Sequence, residues 1–304
     1  MIRSLPAASD RPIGLTGAFA PENVFSPACL LQRPRLFPPT QGLSAMIRLG
    51  RSVLLIAALL MFGSALSGCA TRFLQDEPLV FEQVGPVEVD VESFAGDVRI
   101  HASEEKFSSI RVVVRREAVH GTWREGEAAA SLEDIDYHVD LGVGEYGSKL
   151  TVRTSTTHPE SYFQRAHVRI TLPATEGVRI RTQNGYVEAR GVAGRLDLET
   201  SKSDIRVLTN QPLTRAVTLI TSEGDIDYRV RGESRGEFDA VTIGGRIVRR
   251  IRYGQFISEA GSSYDRLRGR LNDGTNRVRM RTTDGDIRIA VVHNPEQVGR
   301  LIVD

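Results

Sequence analysis

An all-β chain, built as a parallel β-solenoid with coils of roughly twenty residues, is the fold the sequence predicts on three observations. A short turn motif recurs six times, apolar and polar residues alternate on both sides of each copy, and the main copies are almost evenly spaced. Glycine is frequent, 28 of 304 residues, which together with the alternation argues against an all-helical chain. The alternative arrangement is a β-hairpin meander or sandwich, because Asn184-Gly185, Gly244-Gly245 and Asp284-Gly285 are also good two-residue hairpin turns.

The first 68 residues are of a different composition. Residues 1–45 hold seven of the thirteen prolines and no hydrophobic period, so they cannot bury enough apolar surface to offset ordering and read as disordered. Met46, Arg48 and Arg51 then precede the apolar run 53–66 and the sequence Leu66-Ser67-Gly68-Cys69. A basic start, a short apolar run and small residues before a cut make a signal peptide over 46–68. The run of 14 residues falls short of the ~20 a spanning helix needs. Met46 therefore reads as the true start and 1–45, with Cys29, as an over-extended leader; the rival is a genuine disordered extension.

Leu66-Ser67-Gly68-Cys69 resembles the lipobox of bacterial lipoproteins. The resemblance implies that the Cys69 thiol takes a diacylglyceryl group and becomes the mature N-terminus, with 69–80 a linker. It further implies an outer-membrane destination, since Ala70 is not the aspartate that retains such proteins at the inner membrane of enteric bacteria. From Cys69 onward 33 basic residues face 36 acidic ones, a net of −3, which offers no basic surface to nucleic acid.

The strongest repeats are Thr182-Gln-Asn-Gly185-Tyr-Val187, Thr221-Ser-Glu-Gly224-Asp225-Ile226, Thr242-Ile-Gly-Gly245-Arg246-Ile247 and Thr282-Thr-Asp-Gly285-Asp286-Ile287. Thr200-Ser-Lys-Ser203-Asp204-Ile205 and Ser93-Phe-Ala-Gly96-Asp97-Val98 differ by one position each. Flanking positions spaced by two are apolar in every copy except at Arg249, so each copy is two strands showing one face to a core. Glycine suits a corner that can demand positive φ, and the aspartate after it is a short acceptor for local N–H groups. Arg179, Arg181, Arg277, Arg279 and Arg281 fall on the opposite face and read as solvated. Threonines 182, 200, 221 and 242 lie 18, 21 and 21 residues apart, with an eroded copy at Ser258. A single coil could not bury a core alone; stacked coils could.

Longer strands are expected at 110–116, 135–141, 150–154 and 167–172. Between them lie two insertions, 120–131 with Trp123 and 155–165 with Tyr162 and Phe163, which are candidate binding loops. The whole of 81–303 reads as one β domain.

The (Thr/Ser)-x-x-Gly-Asp-(Ile/Val) ladder, preceded by a strand ending at Leu172-Pro173, is similar to the DUF4097 family. These are bacterial envelope domains labelled adhesins. The resemblance implies a right-handed β-helix and no catalytic residues, and it covers nearly the whole mature chain. Arg246, Ser203 and the Ser258 copy depart from the family pattern.

Function classes narrow accordingly. Two cysteines cannot make a zinc cluster or disulfide framework, the six histidines show no metal-ligand spacing, and no nucleophile or phosphate-loop motif occurs. No cofactor is expected. The leading expectation is a non-enzymatic, lipid-anchored envelope scaffold for adhesion, protein contact or envelope maintenance, with a membrane and an envelope protein or glycan as partners. The alternative is a polysaccharide-acting enzyme using Asp204, Asp225 and Asp286 along one solenoid edge, where stacked coils lie ~4.8 Å apart. A third reading, an accessory to envelope-stress signalling, is implied only by relatives.

Overall fold

The computed structural model describes residues 69–297 except Val84 and Tyr146. The leader, the apolar run and Leu66, Ser67 and Gly68 lie outside the described residues.

Strands β1 (Cys69–Gln75) and β2 (Leu79–Phe81) precede the first repeat, β3 (Val87–Ser93) and β4 (Val98–Ala102). Then come β5 (Ile110–Gly121), helix α1 (Glu125–Ala130), β6 (Ile135–Gly144), β7 (Gly147–Thr156) and β8 (Gln164–Leu172). The repeats resume with β9 (Thr175–Thr182), β10 (Val187–Arg190), β11 (Arg195–Thr200), β12 (Ile205–Leu208), β13 (Val217–Ile220) and β14 (Ile226–Val230). They finish with β15 (Gly236–Thr242), β16 (Ile247–Ile251), β17 (Phe256–Ser258), β18 (Arg266–Leu271), β19 (Arg277–Thr282) and β20 (Ile287–Val291).

Each glycine corner carries the chain from one sheet to the other. The strands on its two sides do not pair with each other; each pairs in parallel with its counterpart in the next coil, as Leu196 with Val217 and Ile205 with Ile226. The turns are therefore sheet-to-sheet corners rather than hairpins. The result is an all-β, solenoid-like pair of mixed sheets, whose inner faces meet in one core. Val89, Val91, Ile180, Leu198, Leu219 and Met280 fill it from one side, and Ile100, Val187, Val207, Ile226 and Ile289 from the other. The period-two reading of the flanks put these side chains inside, and they are all buried.

Two features depart from the expected one-after-another stacking. One sheet runs β17-β18-β15-β19-β13-β11-β9-β3-β7-β6, the other β1-β5-β8-β4-β10-β12-β14-β20-β16. The final repeat, β19 and β20, is thus inserted between the coil of β13 and β14 and the coil of β15 and β16. The first repeat is likewise inserted, between β7 and β9 and between β8 and β10. The eroded copy at Ser258 is no coil at all: β17 and β18 pair antiparallel, and β18 pairs antiparallel with β15.

The segment 69–80 is not a linker. β1 pairs antiparallel with β5 from Cys69 opposite Gly121 through Gln75 opposite Arg115. The four longer strands appear where alternation placed them; β5 runs on through His120 and Gly121, and 122–134 form 3-10 turns and α1 over the small second core of Ala118, Ala128, Leu132, Ile135 and Ala166. Among the described residues no helix is long and apolar enough to cross a membrane.

Candidate functional site

The repeat motif builds three parallel columns along the corner, and each column has its own physics. The first is hydroxylic. The Thr200 hydroxyl donates to the Gly185 carbonyl at 3.1 Å, Thr221 to Ser203 at 2.8 Å, Thr282 to Gly224 at 2.9 Å and Thr242 to Gly285 at 2.7 Å. Every one of these threonines is buried, so each hydroxyl finds its partner in a half-buried corner carbonyl.

The second column is glycine, and its common cause is not the positive φ expected. Gly96, Gly224 and Gly285 have positive φ, but Gly185 and Gly245 do not. What unites them is proximity. A Cβ on Gly185 would lie 2.0 Å from the Gly96 carbonyl oxygen, and one on Gly245 the same distance from that of Gly285. The corners stack backbone on backbone, and the absent side chain is what admits the neighbouring carbonyl.

The third column is acidic. Asp97 Oδ1 accepts the Tyr186 N–H at 3.2 Å, Asp204 that of Asp225 at 2.8 Å, Asp225 that of Asp286 at 2.7 Å, and Asp286 that of Arg246 at 3.0 Å. These bonds run to the following coil, not to the local backbone as the sequence led one to expect. The departures from the pattern then acquire reasons. Arg246 needs no acceptor, because its coil ends the stack in which β16 is the last strand of its sheet. Arg249 breaks the apolar pattern in that same outermost strand, where its guanidinium lies exposed over the Phe256 ring at 5.6 Å. At the other end His167 takes the aspartate's place, its Nδ1 accepting the Asp97 N–H at 3.2 Å while Nε2 faces Glu117. The bond with His167 holds the Glu117 carboxyl below its ordinary value, against the opposing effect of burial.

Beside the corner the outer face of the β4–β20 sheet forms a cleft of about 170 Å3 lined by Tyr186, Asp204, Arg206, Asp225, Asp227 and Arg288, among others. Both oxygens of Asp225 are engaged, one by the Asp286 N–H and one by Arg288 at 2.7 Å. Asp227 is clamped by the buried Arg229, with both bonds at 2.7 Å, and meets Arg206 at 3.3 Å. Burial, reinforced by the Glu188 charge, pushes the Tyr186 hydroxyl above its usual value. Asp286, the third carboxylate of the enzyme reading, is spent on Arg246 and on Arg288 at 3.3 Å.

Of the arginines read as solvated, Arg277 and Arg279 are exposed, whereas Arg179, Arg181 and Arg281 pair across strands. Lys149 and Arg153 of β7 meet Asp90 and Glu92 of β3, at 2.9 Å and 3.1 Å respectively. Arg179 of β9 meets Glu92 at 3.6 Å, while Arg181 bridges to Asp197 at 2.8 Å and to Glu199 at 3.2 Å. Farther along, Arg281 pairs with Asp239. Sign alternates from β7 through β3 and β9 to β11, whereas β18 and β19 set six arginines around Glu237 and Asp239 of β15. Burial alone would raise the Asp90 carboxyl; the bonds and charges of Arg153 and Lys149 overrule it and hold it low.

The loop aromatics separate. Trp123 is fully exposed at 101% and Tyr162 at 72%, whereas Phe163 is half-buried and packs on His120 with ring centroids 4.6 Å apart. Tyr162 lines a groove of about 970 Å3 that also takes in Arg153, Arg181, Gln183, Asn184 and Lys202. One grouping was invisible in the sequence: His120, Glu127 and Glu160 bring ligand-type atoms within 4.8 Å of one another. Arg124 sits on both carboxylates, meeting Glu160 at 2.6 Å, so half of their charge is already answered. Spacings of seven and thirty-three residues carry no metal-ligand signature, and only the packing of the two insertions brings them together.

No curated protein matches the chain. A Clostridium sporogenes protein named for cell adhesion aligns at 12% identity over 73% of this chain and 100% of its own, with a TM-score of 0.46. A Bacteroides fragilis protein named as an adhesin aligns at 10% identity over 73% and 97%, with a TM-score of 0.25. The family model described as Toastrack DUF4097 matches residues 145–290, a narrower span than the motif resemblance implied, since the first repeat lies outside it although it stacks within the same sheets. The stretch that this model matches carries five of the six corner motifs and is similar to Toastrack DUF4097 domains.

Proposed function

We propose that the protein is a lipid-anchored scaffold of the bacterial cell envelope that works by contact, as an adhesin or a protein-binding module, and not by catalysis. One observation carries the reading. The acidic row that a polysaccharide-cleaving enzyme would need, Asp204, Asp225 and Asp286, is occupied in holding coil to coil, with both oxygens of Asp225 engaged. A glycosidase requires one carboxyl that gives up a proton and a second that attacks or activates water. A rigid array with a polar groove needs neither, and the groove past Arg181, Asn184 and Tyr162 offers hydrogen-bonding and stacking groups to a glycan or peptide. Anchoring rests on the Leu66-Ser67-Gly68-Cys69 lipobox.

Labelled palmitate fed to cells making the wild-type chain or Cys69→Ala tests the anchor; label in the wild type alone supports it. A glycan-release assay with the purified protein and Asp225→Asn tests the second reading, a polysaccharide-acting enzyme. Turnover that disappears in the variant would replace the scaffold reading. A role as accessory to envelope-stress signalling predicts that co-purification from membranes yields a signalling partner.

A further inference from the structure

We infer that the folded domain meets the bilayer directly at the corner where β1 begins, with the Trp123 indole in the headgroup layer; this rests on the anchoring of Cys69 proposed above. The first support is the missing spacer. Cys69 is already opposite Gly121 and Ala70 opposite His120, and the antiparallel register runs on unbroken to Gln75. Antiparallel partners sit about 5 Å apart and each further residue adds at most 3.8 Å, which puts the Trp123 backbone within about 13 Å of the anchored residue. An acylated Cys69 would therefore hold the body against the membrane with no slack.

The second support is the chemistry displayed there. Trp123, the chain's single tryptophan, is wholly exposed, an expensive position in water for a large apolar ring that carries an N–H. Tyr162 stands out on the same corner, and its neighbour Phe163 packs on His120, the residue paired with Ala70. Indole and phenol are the side chains that favour the interface between headgroups and acyl chains. The third support is charge. Glu125 pairs with Arg72, and Glu127 and Glu160 share Arg124, so three carboxylates around the corner are reduced to a net charge of −1 and their repulsion of an anionic leaflet is weakened.

Because Trp123 is the only tryptophan, its fluorescence reads the contact without a label. The full chain, processed in a bacterium that lipidates its own lipoproteins, is reconstituted into vesicles of phosphatidylethanolamine and phosphatidylglycerol with or without brominated acyl chains. The expected result is flotation with the vesicles, a blue-shifted emission and quenching by the brominated lipid, all lost in Cys69→Ala. Trp123→Phe combined with Ile243→Trp moves the reporter to the exposed corner of the outermost coil, and there emission should stay water-like and unquenched. Wild-type protein that floats with unshifted, unquenched emission overturns the contact while leaving the anchor intact. Equal quenching at both reporter positions overturns it as well, since no particular corner would then face the lipid. Protein that does not float overturns the anchor and the contact together.

Discussion

Replacing Gly185 by alanine isolates the stacking requirement from the conformational one, because its φ is one any residue can adopt. The added Cβ would stand 2.0 Å from the Gly96 carbonyl oxygen and 3.0 Å from the Asp97 nitrogen, both backbone atoms that cannot swing aside. A comfortable carbon–oxygen approach is about 3.3 Å, so the two corners must part by more than about 1 Å. Three bonds cross that gap: Gly96 N–H to Asn184 at 2.7 Å, Val98 N–H to Tyr186 at 2.8 Å, and Tyr186 N–H to Asp97 at 3.2 Å. At a net of roughly 1 kcal/mol each, their loss costs about 3 kcal/mol, a large part of the ~5–15 kcal/mol that holds a typical domain. Gly261→Ala is the control, a positive-φ glycine with nothing within 4 Å of the added atom, for which backbone strain alone predicts about 1–2 kcal/mol. Urea unfolding of both variants, followed by far-ultraviolet circular dichroism, gives the comparison. A Gly185→Ala cost no greater than that of Gly261→Ala would refute the stacking argument.

Other consequences are as direct. Thr282→Val strips the Gly224 carbonyl of its buried donor and should cost about 1–2 kcal/mol in the same unfolding assay. Asp225→Asn keeps an oxygen for the Asp286 N–H and loses only the charge facing Arg288, so about 1 kcal/mol is expected, whereas Asp225→Ala loses both bonds and should cost about twice as much. Asp90 and Glu117 are held below their ordinary carboxylate values; each adds stability that is fully present above the unfolded-state value near ~4 and is lost as pH falls through the folded one. Unfolding midpoints should therefore drop as pH falls below about 5, with a shallower fall in Asp90→Asn. Trp123→Ala, which removes no packed contact, should leave the unfolding free energy within about 0.5 kcal/mol.

The inward side chains were legible because strand periodicity is local: Val178, Ile180, Val187 and Ala189 declare their face by spacing alone. The order of the coils was not. Nothing near Thr282 says that its strand lies beside β13, since that choice is made by long-range fit. The same ignorance hid the pairing of the arginines. Asp90 with Glu92, Arg179 with Arg181, and Asp197 with Glu199 are visible blocks of alternating sign, but they become ion pairs only once the neighbours are known. The corner aspartates were read as local turn acceptors, whereas their bonds span 21 to 89 residues. In the candidate binding loops exposure could not be foreseen, because Trp123 and Phe163 differ in what covers them and not in type.

The displaced position of β19 and β20 bears on how the molecule comes into being. An ordinary repeat array can grow from one end, each new unit finding a finished template. Here the sheets stay divided until the repeat 277–291 slots between two coils some twenty residues apart in sequence and joins them. Completion must wait for the C-terminal part of the chain, closure is slow in the manner of distant strand pairings, and removing that repeat would open the molecule in its middle instead of shortening it.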